Sequence, residues 1–271
     1  MNNIFDVQRF FRLLNKHTKE SLKEYLLCIA VLIILLVLSL GSAVYNNGGS
    51  LPQKVQILIF TSGYLIAGLI ITSMMFLDFS DKRKAIAELT LPVSTLERYL
   101  VLWFYSFIVY QVAMFTCFYL VDWIAVHIGN ELMSTAKGLS TKGNALKKNE
   151  ILGLITPNGS VFKVFLAYAF LHSIGFFGAV YFKKLHLLKT TFVVAVLIFL
   201  LVQLNKVIAF SMYDAGVTAT MIFTNLNVSE NNILYVVEPD QSGLILIKIM
   251  MMLLTLVLWA AAFFKLKEKQ V

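Results

Sequence analysis

The sequence predicts an all-α integral membrane protein with six transmembrane helices, and three observations carry that reading. First, six windows are each long and apolar enough to cross a bilayer: Tyr25–Tyr45, Val55–Leu77, Tyr99–Ala125, Val161–Phe182, Leu188–Met212 and Leu244–Phe264. A hydrocarbon core about 30 Å thick requires about 20 such residues in helical form. Second, 59% of the 271 residues are hydrophobic and 14% are charged, with a mean hydropathy of +0.78; soluble domains hold roughly 45–50% apolar residues. Third, the basic residues alternate from loop to loop. The whole chain, 1–271, reads as a single transmembrane domain with no nucleotide-binding domain.

Residues 1–24 predict an interfacial helix leading into the first span. Ile4, Val7, Phe10, Phe11 and Leu14 recur at helical spacing, with Asp6, Arg9, Arg12 and Lys16 on the other face. A segment patterned this way lies in the headgroup plane; a plain amphipathic start is the other reading. The first apolar run begins near residue 25 and is too long for a signal-peptide core, which predicts a permanent anchor. Ser21-Leu22-Lys23-Glu24 and Ser94-Thr95-Leu96-Glu97 both fit the capping-box pattern. In that pattern the Ser oxygen and the Glu carboxylate satisfy orphan N–H groups at a helix start. They predict helix boundaries before the first and third spans.

Gly63, Ala67 and Gly68 give the second span a small-residue stripe suited to close helix contact, within the bundle or with another copy. All four prolines, Pro52, Pro92, Pro157 and Pro239, fall between spans. No span is broken by proline in the manner of many secondary transporters. Two loops on one side are long, 126–160 and 213–243; the second has no Lys or Arg and carries Asp214, Glu230, Glu238 and Asp240.

Topology follows from the cations, which favour the cytoplasmic side of short loops. Arg9, Arg12, Lys16, Lys19 and Lys23 precede the first span, and Lys82, Arg83, Lys84 and Arg98 follow the second. Lys183, Lys184 and Lys189 follow the fourth, and Lys265, Lys267 and Lys269 the sixth. The opposite side holds only Lys54, Lys137, Lys142, Lys147, Lys148 and Lys163. Both termini are expected in the cytoplasm. The net charge of +8 belongs to residues flanking apolar spans, where anionic headgroups account for it; nucleic acid is not an expected partner.

Catalytic patterns are missing from the sequence: no H-E-x-x-H, G-x-S-x-G or P-loop, and no paired carboxylates within a span. Cys28 and Cys117 lie in spans and read as packing residues. His172, midway through the fourth span, reads as a satisfied core histidine. The chain is expected to be neither an enzyme nor the holder of a cofactor or metal. Gln111, Asp122, Gln203, Asn205, Lys206 and Lys248 form a candidate polar belt toward the outer side. Polar groups in spans are costly, so each needs a reason. Snorkelled or paired lysines with Asp122 as counter-ion are one reading; an exit vestibule between subunits is the other.

The loop Asp78–Ser94 is expected to hold a short helix. Ser80 caps it with Asp81 in its first turn, and Ile86, Leu89 and Leu91 give it an apolar edge before Pro92 ends it. A solvated connector is the alternative. The run Leu89-Thr90-Leu91-Pro92-Val93-Ser94-Thr95-Leu96-Glu97-Arg98-Tyr99-Leu100 resembles the L-P-V-S-x-x-E-[KR]-[FY]-[LV] segment of ABC-2-type ABC transporter permeases. The run Phe176–Lys184, followed by Leu188-Lys189-Thr190, is similar to a second segment of bacterial permeases of that group. The resemblance covers most of the chain but neither long outer loop. It implies a coupling helix near Asp81–Leu91, with Asp81, Lys82, Arg83, Lys84, Glu88, Leu89 and Leu91 facing a separate ATP-binding subunit. It also implies an amphipathic connecting helix before the first span, pairing with a second or homologous permease, residence in the bacterial inner membrane, and export driven by ATP held on the partner chain. A non-transporting scaffold or sensor partner of envelope machinery, working through the acidic outer loop, is the alternative.

Overall fold

In the computed structural model the residues described are 5–75, 93–137, 160–182, 186–212, 216–217, 226–230, 233–237 and 241–268. Helix α1 runs over Val7–Asn46 and α2 over Gln53–Met74. Next come α3 over Thr95–Trp103, a π-helical turn over Phe104–Val109 and α4 over Tyr110–Lys137, forming one continuous helical run. Helices α5, α6 and α7 span Ser160–Tyr181, His186–Met212 and Gln241–Glu268. Six helices are long and apolar enough to cross a membrane, which makes this a multi-pass membrane protein. Between α6 and α7 lie three short antiparallel strands in the order β1-β2-β3: β1 Gly216–Val217, β2 Leu226–Glu230 and β3 Ile233–Val237. They fall inside the long segment expected to be loop. Leu226 pairs with Val237 and Glu230 with Ile233.

The two capping-box patterns part company. Ser94 accepts from the Glu97 N–H and the Glu97 carboxylate accepts from the Ser94 N–H, so the box before α3 is formed. Ser21 starts nothing: α1 passes through it without interruption for 40 residues. Its cap is Asp6, whose carboxylate accepts from the Gln8 and Arg9 N–H groups at 2.8 and 3.3 Å. A cap satisfies N–H groups that have no intrahelical partner. Once α1 has nucleated upstream, those groups are already bonded at Ser21 and the pattern is redundant. The predicted division of residues 1–24 from the first span is therefore not a break in the helix. At 1.5 Å per residue, α1 is about 60 Å long, roughly twice the hydrocarbon thickness.

Helix α5 is the hub, packing against α2, α6 and α7, while α1 packs on α4 and α2. The main core lies between α1, α2, α4 and α5, around Leu36, Leu40, Phe60, Tyr64, Phe107, Tyr110, Met114, Phe118 and Tyr168. A second cluster joins α3, α5 and α7 through Tyr99, Leu102, Phe176, Ala179, Val180, Ala262 and Leu266. A third sets the first half of α1 against α3 and the π turn through Leu13, Val101 and Tyr105. Leu13 is the buried residue of that half, whereas Val7 and Phe11 face outward. The apolar stripe inferred from spacing is thus split between protein and surroundings; Ile4 lies outside the described residues.

The turn from α1 to α2 is set by Gly48 and Gly49, both at positive φ (57° and 88°). At Gly49 a Cβ would lie 3.0 Å from the Gly129 carbonyl oxygen. Glycine allows both that backbone conformation and that approach. The turn consequently seats on the end of α4, which continues twelve residues past the predicted limit at Ala125. Leu51 and Met133 are buried there.

Candidate functional site: a charged clamp and a buried polar latch

Two constellations of polar side chains tie the helices together. The first gathers where α1 and α3 begin, on the Lys- and Arg-rich side of the sequence. Glu97 is fully buried there. One of its oxygens accepts from the Asp6 backbone N–H at 2.8 Å and from Arg9 Nη2 at 2.7 Å. Arg9 Nε donates to both oxygens at 3.0 and 2.7 Å, and the Ser94 N–H donates at 3.0 Å. A planar guanidinium offered as a fork to a carboxylate is the strongest geometry of its kind. One side chain thereby caps α3, holds the cap residue of α1 and neutralises Arg9. Burial on its own raises the Glu97 pKa, but the hydrogen bonds from Arg9, Asp6 and Ser94 outweigh it and hold the carboxyl below its ordinary range. The clamp is therefore fully formed above about pH 4.3, the ordinary glutamate value. Its contribution is lost only as pH falls through the depressed value.

The second constellation lies inside the bundle, centred on His172 of α5, which is fully buried. Trp259 Nε1–H of α7 donates to His172 Nδ1 at 3.2 Å, and His172 Nε2 lies 2.9 Å from Ser106 Oγ in the π turn. Ser106 Oγ donates in turn to the Leu102 carbonyl at 2.8 Å. Indole N–H can only donate, so Nδ1 must be an acceptor and the proton belongs on Nε2. The imidazole is then neutral and every atom of the relay has a partner. Tyr168 Oη donates to the Ser106 carbonyl at 2.9 Å, and Tyr99 Oη to the Trp259 carbonyl at 3.0 Å. Helices α3, α5 and α7 and the π turn are latched by one connected network. A π turn shifts the register of the side chains that follow; here it coincides with the residues that meet His172, Tyr168 and Trp259. The reading of His172 as a core histidine with satisfied nitrogens agrees with this geometry.

Trp259→Phe keeps the edge-on ring contacts with Trp103 and Phe107 but removes the one donor to Nδ1 among the described residues. A stranded buried acceptor costs about 1–3 kcal/mol. The variant is expected to lose several degrees of thermal stability in detergent, and His172→Leu added to it should cost less than it does alone.

The polar-belt residues are not one cluster. Asp122 is buried on α4, and its carboxylate accepts from Gln56 Nε2 of α2 at 3.0 Å. Lys206 and Lys248 are half-buried on α6 and α7, helices that pack chiefly on α5. Among the described residues no ion pair joins either lysine to Asp122. Gln203 is half-buried on α6 beside Lys206, and the Asn205 side chain lies outside the described residues. Gln111 is half-buried on α4 and its amide nitrogen meets no acceptor among the described residues. Asp81, Lys82, Arg83, Lys84, Glu88, Leu89 and Leu91 also lie outside the described residues. The described residues contain no group of three or more His, Cys, Asp or Glu suited to a metal ion.

Sequence reasoning missed two partners. Arg9 is expected on the polar face of an interfacial helix, though a buried carboxylate 88 positions away engages it. Gln56, near the start of the second span, is not among the polar residues singled out from the sequence. The only available signal was that an amide and a carboxylate, Gln56 and Asp122, each stood at the same end of a span. Comparison of the chain with family models, with curated proteins and with solved structures yields no match.

Proposed function

We propose that this protein is the membrane-spanning subunit of an ABC-2-type ABC exporter, driven by a separate ATP-binding subunit and without enzymatic activity of its own. The reading rests on the L-P-V-S-x-x-E segment at Leu91–Leu100 together with six helices of spanning length. The single observation that carries it is the clamp. Glu97, the acidic residue of that segment, binds the start of α1 and the start of α3 to each other. Residues 78–94, the proposed coupling segment, lead in sequence into the start of α3. Force applied by a partner to that segment would reach α3 directly and α1 through the clamp. Residues 7–24 serve as the connecting helix in this reading, and both termini face the cytoplasm of a bacterial cell. Two permease copies, or this chain and a homologous permease, enclose the substrate path, and closure of the ATP-bound partners rocks the halves so that substrate leaves outward.

Co-purification with the cognate ATPase tests it. Stimulated ATP hydrolysis is expected from the intact pair. Charge-neutral replacement of Lys82, Arg83 and Lys84 with Leu89→Ala is expected to abolish the stimulation while the permease remains folded. Nucleotide hydrolysis or solute flux by the isolated chain in nanodiscs would refute the assignment. The antiparallel sheet within residues 216–237 favours one second reading, a scaffold or sensor partner working through a folded outer element. A neighbouring reading frame with a Walker A motif separates the two.

A further inference from the structure

Helices α1 and α2 leave a groove between them that the core does not fill. Its walls are Val31, Leu32, Leu35 and Leu36 of α1 and Gly63, Ala67, Ile70 and Ile71 of α2, with Cys28 at one end and Met114 of α4 at its floor. The enclosed space amounts to about 140 Å³, and the groove is otherwise open to the side. Its origin is the part of the small-residue stripe formed by Gly63 and Ala67. A Cβ at Gly63 would meet Met114 at 3.5 Å and Leu36 at 4.0 Å, ordinary contact distances, so that face is not tightly closed. The expected close contact is made instead at Gly68, against Tyr168 and Tyr110. Leu35 and Ile70 of its walls are exposed, as are Leu38 and Ile66 on the same two helices.

A second hollow continues toward the basic end of the same helix pair. It is lined by His17, Ser21, Glu24 and Tyr25 of α1 and by Met74 and Met75 where α2 ends. Met74 links the two hollows, its sulfur 3.9 Å from Cys28 Sγ. Tyr25 Oη touches His17 Nε2 at 2.6 Å and Met75 Sδ at 3.4 Å. Polar groups thus stand at one end and only hydrocarbon at the other. From Cys28 to Leu36 is about 12 Å of helix at 1.5 Å per residue. That depth fits within one leaflet, half of a core about 30 Å thick.

We infer that this line of two hollows is a binding site for one phospholipid of the leaflet on the basic side, with an acyl chain in the α1–α2 groove and the polar head against Ser21, Glu24 and Tyr25. Order from polar to apolar along one helix pair matches an amphiphile and no soluble ligand. The depth matches a chain from the adjacent leaflet. The site does not depend on the transport reading.

Native mass spectrometry of the intact chain, washed extensively in mild detergent, tests it. Wild type is expected to retain one phospholipid mass per chain. Gly63→Leu and Ala67→Phe, which fill the groove from α2, are expected to lower the retained fraction at least fivefold. Val196→Phe, on an equally apolar exposed stretch of α6, should leave it unchanged. Equal retention by the filled variants would overturn the site, as would a retained mass that is only detergent or free fatty acid. Cys28 gives a second measurement without altering the groove. Added phospholipid is expected to slow its alkylation several-fold in lipid-stripped protein carrying Cys117→Ala, and an unchanged rate would overturn the inference.

Discussion

Glu97→Ala is expected to destabilise the protein by about 3 kcal/mol, because it leaves a partly buried guanidinium without its carboxylate. Arg9 retains 29% of its side-chain exposure, so it can turn outward and recover part of its hydration, which keeps the loss below the upper range for fully buried pairs. The same substitution removes the Glu97 half of the capping box and the acceptor of the Asp6 N–H; these contacts, about 1 kcal/mol each, are part of that figure. In a chain of this size a loss of about 3 kcal/mol lowers the melting temperature by about 10 °C. Glu97→Gln is the informative companion. Glutamine can still cap, so a large residual defect isolates the charge. Arg9→Ala combined with Glu97→Ala should cost well under the sum of the two, with a coupling of about 1–3 kcal/mol. Under the transporter reading, Glu97→Gln also uncouples ATP hydrolysis from export in folded protein. Additive single losses would show that the two side chains do not form a working pair.

The six spans were legible because the bilayer imposes a length and a composition that few other environments require. Tyr25–Tyr45 lies within α1 and Leu244–Phe264 within α7 almost as read. What composition cannot show is where a helix stops once it has left the membrane. Helix α1 extends to Val7 and the α3–α4 run to Lys137, because helix propagation ends at a cap or a breaker and neither stands at Tyr25 or Ala125. The two Ser-x-x-Glu patterns make the same point. Ser94 itself has extended backbone, so a helix starts after it and the cap is needed; Ser21 stands inside a helix already under way. Gly49 could not be read as the residue that seats the α1–α2 turn on α4, since its partner Gly129 is 80 positions distant. Long-range side-chain pairs were the least legible. Arg9–Glu97, Gln56–Asp122 and Ser106–His172 each join residues more than 60 positions apart, and a hydropathy pattern carries no information on which helices become neighbours. The π turn at Phe104–Val109 has no compositional mark either.

Gly68→Ala should be the most damaging substitution inside the bundle despite its small size. The added Cβ would collide with the Tyr168 ring and lie 3.0 Å from Tyr110. Flexible neighbours absorb such collisions, but Tyr168 has nowhere to turn. Its hydroxyl is bonded to the Ser106 carbonyl, one face stacks on Phe107 with ring centroids 5.6 Å apart, and Tyr64 is 4.6 Å away. Tyr110 is similarly held by its bond to the Tyr64 carbonyl at 2.6 Å. Relief therefore requires α2 and α5 to separate or the Tyr168 bond to break, at a cost of about 3 kcal/mol or more. Because Tyr168 and His172 share the Ser106 residue, disruption should spread to the latch that holds α7. Trp259 fluorescence is the readout: a shifted emission maximum and a lowered melting temperature are expected together. Tyr168→Leu in the Gly68→Ala background should restore a substantial part of the stability, since the smaller side chain vacates the space that the Cβ needs. Gly68→Ala at wild-type stability would mean that α2 and α5 do not approach as closely as the Tyr168 contact requires.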